Sequence, residues 1–123
     1  MHILLIEDMD SDAELIRLEL LGEWPSLQFD WASTRQAVSR ALADPPPDVV
    51  LCDSRLPGLH GAEILDLVAA AWPGTPLVFC AGSPDGDPVL QPVLSRAAGL
   101  IDKNRLHTLV PTLKRVMGTP RQG

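Results

Sequence analysis

Val49-Val50-Leu51-Cys52 is a short, unbroken apolar run; Asp53 closes it, and a segment of helical period follows from about Gly61 to Trp72. A run this short with no polar alternation is the mark of a strand covered on both faces. Working outward, the same kind of run returns at Ile3-Leu4-Leu5-Ile6, Leu77-Val78-Phe79-Cys80 and Leu100-Ile101. A fifth, Leu27-Gln28-Phe29-Asp30-Trp31, alternates as an edge strand does. Strands that alternate with helices predict an α/β three-layer sandwich: a five-stranded parallel sheet with helices on both faces and right-handed crossovers.

The helices carry local start and stop signals. Ser11 with Glu14, and Ser33 with Gln36, have the spacing of capping boxes. The first helix is expected to end at about Leu21, stopped by Gly22. The third is expected over Gly61–Trp72, with Ile64, Leu67, Val68 and Ala71 on its buried face and Pro73-Gly74 after it. The last is expected from near Thr108 to Met117, with Pro111 in its first turn, where a missing N–H costs little. The fourth is weak, because Pro88 and Pro92 fall inside it; it is predicted to start late, with Pro92 near its first position and Ser83–Pro88 as a loop. Of Val89, Leu90, Val93 and Leu94, half are expected in the core. Pro45-Pro46-Pro47 reads as a stiff connector.

The chain of 123 residues suits one domain, expected over 1–118 with 119–123 as a flexible tail. A formal net charge of -6 argues against nucleic-acid binding, which needs cationic side chains to neutralise phosphates. No run approaches a membrane span and no secretory signal is visible, so a cytoplasmic location is expected. Cys52 and Cys80 sit inside apolar runs and read as buried hydrophobes. His2 is expected to open the first strand, His60 and His107 to lie on the surface, and Trp24, Trp31 and Trp72 to pack near element ends.

In open parallel sheets, ligands bind at the carboxyl ends of the strands. Glu7, Asp8 and Asp10 follow the first strand, Asp53 the third, Ala81, Gly82 and Ser83 the fourth, and Lys103 the fifth. Acids and a lysine on one rim suit Mg²⁺, a hard cation held by oxygens, and a phosphoryl group opposite the lysine. Asp53 is the natural nucleophile, since a carboxylate can form an acyl phosphate. Any one of these acids alone would read as a turn residue; four agreeing positions carry the inference.

Three stretches then resemble the receiver domain of two-component response regulators, over nearly the whole chain. They are Ile3–Asp8; Asp53-Ser54-Arg55-Leu56-Pro57-Gly58 with Gly61; and Gly99-Leu100-Ile101-Asp102-Lys103. Lys103-Asn104-Arg105-Leu106 through Val110-Pro111 is similar to a subset of receivers found beside sensor kinases. The resemblance implies the flavodoxin-like (βα)5 fold of a stand-alone receiver, and a phosphoprotein rather than an enzyme. It implies Asp53 as phosphoacceptor, Lys103 on the phosphoryl group, and Mg²⁺ held by Glu7, Asp8, Asp53 and the backbone carbonyl of Arg55. A sensor histidine kinase or phosphotransfer protein would supply the group, and a downstream protein would read it by contact. Weak self-association as a homodimer stays open.

Two positions depart from the family. Ala81 stands where receivers usually carry Thr or Ser, and Leu100 where they usually carry Tyr or Phe. Loss of the hydroxyl removes a charge-assisted hydrogen bond worth about 1.5–3 kcal/mol, which weakens the switch more than the transfer. Gly82, Ser83 and Arg55 neighbour the phosphoryl site; Ser83 could stand in for the hydroxyl, and Arg55 could reach over the site or lie solvated. The second reading is therefore an adaptor of receiver fold that acts without phosphorylation. An aspartyl phosphatase is disfavoured, because Arg55 occupies the place of its second acid. A flavin-binding protein lacks the Ser/Thr-rich phosphate loop after the first strand.

Overall fold

A computed structural model describes residues 1–85 and 87–118. Five strands, β1 (His2–Ile6), β2 (Gln28–Ala32), β3 (Val49–Asp53), β4 (Leu77–Ala81) and β5 (Gly99–Asp102), form one sheet in the order β2-β1-β3-β4-β5. Every pairing is parallel. Four α-helices cover it: α1 (Asp10–Glu23), α2 (Arg35–Ala41), α3 (Gly61–Ala71) and α4 (Leu109–Gly118). This is the (βα)5 flavodoxin-like arrangement expected above.

Alternation of side chains along the strands divides the core in two. Leu4, Ile6, Val50, Cys52 and Phe79 face Val38 of α2 and Ile64 and Val68 of α3. Ile3, Leu5, Leu51, Cys80 and Ile101 face Ile16 and Leu20 of α1 and Leu109 and Leu113 of α4. Every residue of β3 and β4 is buried, as central strands with both faces covered must be. In β2, at the edge, Gln28, Asp30 and Trp31 are exposed. Cys52 and Cys80 are buried free thiols, on opposite faces of the sheet.

The helix caps fall one or two residues from the expected positions. Met9 caps α1 without a side-chain bond and Ser11 lies inside the helix, so the Ser11–Glu14 box does not form. Asp10 and Asp12 in the first turn complement the positive helix end instead. Gly22 does not stop α1, which runs on to Glu23 until Trp24 caps it by donating its N–H to Leu20 O. Thr34, not Ser33, caps α2, its hydroxyl accepting from Ala37 N–H at 3.1 Å. In α3 the buried stripe is Gly61, Ile64, Leu65 and Val68, while Ala71 is exposed and Leu67 half-buried. That rotation follows from a close approach at Gly61, where a Cβ would lie 3.1 Å from Cζ of Phe79.

Among the described residues the fourth crossover forms no α-helix: a 3₁₀ turn, Gln91–Arg96, stands there with Pro92 at its start. Pro88 and Pro92 remove donors that an α-helix needs, so only the tighter turn survives. Leu90 and Val93 are buried, Val89 is exposed and Leu94 half-buried, matching the half expected. A short 3₁₀ turn, Leu106–Thr108, leads into α4, one residue later than expected, with Pro111 in its first turn. His2 opens β1, and His60 and His107 are exposed. The expected tail, 119–123, lies outside the described residues. Among the described residues no helix is long and apolar enough to cross a membrane.

Candidate functional site

β1 and β3 are adjacent and in register, with Ile6 beside Cys52, so Glu7 and Asp53 reach the carboxyl rim side by side. Asp8 follows on the loop. Glu7 has no exposed surface, Asp53 is 7% exposed and Asp8 is open to solvent. One carboxylate oxygen from each of the three lies within 4.8 Å of the others. Such a set can coordinate a divalent metal ion, whose charge would offset the repulsion among them.

Lys103 arrives from the far side of the sheet. Its backbone N–H donates to Ala81 O at 2.8 Å, extending the β4–β5 ladder past its last pair. The ammonium then reaches inward, 2.9 Å from Asp12 Oδ2 and 3.1 Å from Asp53 Oδ1. It also stands 2.9 Å from Glu7 Oε1. That contact lies off the direction of a hydrogen bond, so this buried oxygen has a charge beside it and no donor. An orphaned buried carboxylate oxygen among acids is a position that a cation fits.

Asp10 is expected on this rim, but Asp12 takes the place there. Asp10 sits exposed at the start of α1. Asp12, two residues on, is the acid that meets Lys103, 91 residues away.

The remaining contacts orient the loop after β1. Trp31 is expected to pack, and its ring does more: Nε1 donates to Glu7 O at 2.7 Å, although the residue is 42% exposed. Glu7 N–H donates to Ala32 O, and Met9 N–H to Glu7 Oε2 at 3.2 Å. The loop after β5 is tied to the loop after β4 by Asn104 Nδ2, which donates to Gly82 O at 2.8 Å.

Burial pushes the Glu7 carboxyl up to about 7, with the charge of Asp53 adding to it and Lys103 opposing. Burial alone would lower the Lys103 ammonium, but the adjacent carboxylates of Glu7 and Asp12 and the charge of Asp53 hold it above the usual lysine range. Burial likewise pushes the Cys80 thiol up to about 12, which leaves it an inert core residue.

A cleft of about 500 Å³ opens over these groups, lined by Asp8, Asp53, Arg55, Gly82, Ser83, Asp87 and Lys103 among others. Arg55 N–H approaches Asp53 Oδ1 at 3.4 Å. Its side chain turns to Asp87, with Nη2 at 3.1 Å from Oδ1. Ala81 brings a buried methyl to the end of β4, and Leu100 is half-buried against the α2–α3 core. Gly82 and Ser83 are exposed on the lip.

Comparison with known proteins agrees with this geometry. The family model described as the response regulator receiver domain matches residues 3–113. The hydrogenase transcriptional regulatory protein HoxA of Cupriavidus necator is 30% identical over 88 residues, which is 72% of this chain but only 18% of HoxA. The chain thus spans less than a fifth of that relative. Among solved structures, the non-phosphorylated HemR receiver domain from Leptospira biflexa is 26% identical, covers 99% of this chain and 98% of its own, and superposes with a TM-score of 0.73. The N-terminal domain of a response regulator/sensory box/GGDEF three-domain protein from Carboxydothermus hydrogenoformans is 22% identical, covers 95% and 94%, and gives 0.76. The acid cluster, the parallel sheet that assembles it and a family match from the first strand to the last helix lead to one assignment: the chain belongs to the response regulator receiver domain family.

Proposed function

We propose that Asp53 accepts a phosphoryl group from a histidine kinase or phosphotransfer protein and that the chain signals by protein contact. The observation that carries this reading is the convergence of Glu7, Asp8, Asp53 and Lys103 on one rim. An Asp53 carboxylate oxygen attacks the phosphorus of a phosphohistidine in line. The P–N bond breaks, and its electron pair leaves on the imidazole nitrogen. Lys103, already 3.1 Å from Asp53 Oδ1, holds the charge that spreads over the transferring oxygens. Glu7, Asp8, Asp53 and the Arg55 carbonyl would hold Mg²⁺, which when bound neutralises charge on the acceptor and the incoming group.

A second reading, an adaptor of receiver fold that acts without phosphate, is favoured by Ala81 and Leu100. Neither side chain can make the hydroxyl or aromatic contacts that the family usually makes there. Incubation with Mg²⁺ and acetyl phosphate separates the two. The first reading expects an intact-mass increase of one phosphoryl group that is absent in Asp53→Asn. A wild-type mass that never changes leaves the adaptor.

A further inference from the structure

The cleft over Asp53 is lined by two cationic side chains, Lys103 and Arg55. Lys103 is already shared among three carboxylates. Arg55 is held by one, Asp87, 32 residues away. The pair forms a fork, Nε 3.3 Å from Oδ2 and Nη2 3.1 Å from Oδ1. Its members differ sharply in exposure: the Arg55 side chain is 67% accessible, that of Asp87 only 2%. Oδ1 of Asp87 also accepts from Val89 N–H at 2.9 Å and Leu90 N–H at 3.3 Å. Among the described residues, Oδ2 accepts from Arg55 alone. Burial opposes the charge on Asp87, but these donors and Arg55 hold its carboxyl below the usual range, so it is a carboxylate at neutral pH.

We propose that Arg55 is the second cationic contact of the phosphoryl group on Asp53 and that Asp87 is its resting partner, the guanidinium exchanging one for the other as the site fills. This rests on Asp53 accepting the group. A phosphoryl group brings about −1.5 to −2 of charge into a cleft whose wall already includes Arg55. The Arg55 backbone stands beside the acceptor, and its mostly exposed side chain pays little in desolvation to turn toward a stronger anion. Lys103 cannot serve as well alone, because its charge is already shared by three carboxylates and two of them take its hydrogen bonds.

The exchange cannot be silent at Asp87. Losing Arg55 leaves Oδ2 buried without a donor, so the carboxylate must turn toward water and loosen its hold on Val89 and Leu90. Leu90 is a core residue at 1% exposure and leads directly into the Gln91–Arg96 turn, while Val89 beside it is 46% exposed. The state of Asp53 would thus reach the surface by a transfer of charge, on the side of the molecule where Ala81 and Leu100 offer neither hydroxyl nor aromatic ring.

The test compares wild type, Arg55→Gln, Arg55→Lys and Asp87→Asn, each checked for folding by circular dichroism. Affinity for beryllofluoride with Mg²⁺, a phosphoryl mimic, is read by fluorine NMR, alongside phosphorylation by acetyl phosphate read by mass. Arg55→Gln should weaken binding of the mimic roughly tenfold, the loss of one charge-assisted contact, and Arg55→Lys should recover part of it. Asp87→Asn keeps an acceptor for Val89 and Leu90 but removes the competing charge, so it should bind the mimic more tightly than wild type. A purely structural role for the pair would weaken binding in both variants. Weaker or unchanged binding in folded Asp87→Asn overturns the proposal, as does unchanged binding in Arg55→Gln; if Asp87→Asn does not fold, the Arg55 variants decide it. A phosphorylated wild type with either of those results removes only the latch. A wild type that takes no phosphoryl group on Asp53 removes the underlying reading as well.

Discussion

Glu7, Asp53 and Lys103 stand at the ends of β1, β3 and β5 on the side of α1, where Asp12 completes the charge cluster. Ala81, at the end of β4, and Leu100, within β5, stand on the opposite side, packed with the core under α2 and α3. The first group is held by ion pairs no longer than 3.1 Å and by the register of β1 against the fully buried β3. The second borders a segment that, among the described residues, holds the Gln91–Arg96 turn and the Arg55–Asp87 pair in place of an α-helix. Charge chemistry and its neighbouring surface are therefore separable in position: strand ends set one, and a proline-broken crossover sets the other.

The largest effect should come from the charged side. Lys103→Met leaves Glu7, with no exposed surface, beside Asp12 and Asp53 with no cation. Urea unfolding in the presence of chelator should show a loss of about 3 kcal/mol, the scale for removing one partner of a buried ion pair. A loss below about 1 kcal/mol, the scale of a surface pair, would break the contrast between the two sides.

Ala81→Thr sharpens the comparison from the other side. It returns a hydroxyl to the end of β4 at a site that is 1% exposed. Overpacking should cost about 1 kcal/mol in unfolding free energy, while binding of beryllofluoride tightens roughly tenfold through the added hydrogen bond. If affinity does not move, the missing hydroxyl is not what distinguishes this side, and the weight passes to Arg55 and Asp87.

A third effect is in pH. Burial raises the Glu7 carboxyl from 4.5 to about 7. Between those values the folded metal-free protein binds a proton that the unfolded chain releases, so stability contributed by Glu7 falls as pH rises through that window. Melting temperatures of wild type and Glu7→Gln, measured in chelator from pH 5 to pH 8, should therefore diverge in favour of Glu7→Gln as pH rises. A divalent cation should shrink the difference by taking the place of the proton. Parallel curves would show that Lys103 already compensates the charge in full.

Parts of this molecule were legible without coordinates because their cause is local. Val49–Cys52 and Leu77–Cys80 are central strands, and burial of both faces writes itself into consecutive apolar residues. Glu7, Asp53 and Lys103 follow, since parallel strands end on a common rim whatever their partners. Pro92 could be placed at the start of its turn because the ring forbids the alternative. Caps were harder: Ser33 and Thr34 are chemically near-equal, and the choice of Thr34 depends on where the chain leaves β2.

Strand positions, the identity of the acids at their ends and the weakness of the fourth crossover were thus determined by the sequence itself, through short-range hydrophobicity and backbone chemistry. Tertiary structure alone decided that Asp12 rather than Asp10 meets Lys103, that α3 turns Leu65 rather than Ala71 to the sheet, and that Asp87 holds Arg55. Each of those depends on the rotation of a helix or the path of a loop against elements distant in sequence, and no local pattern specifies such a phase.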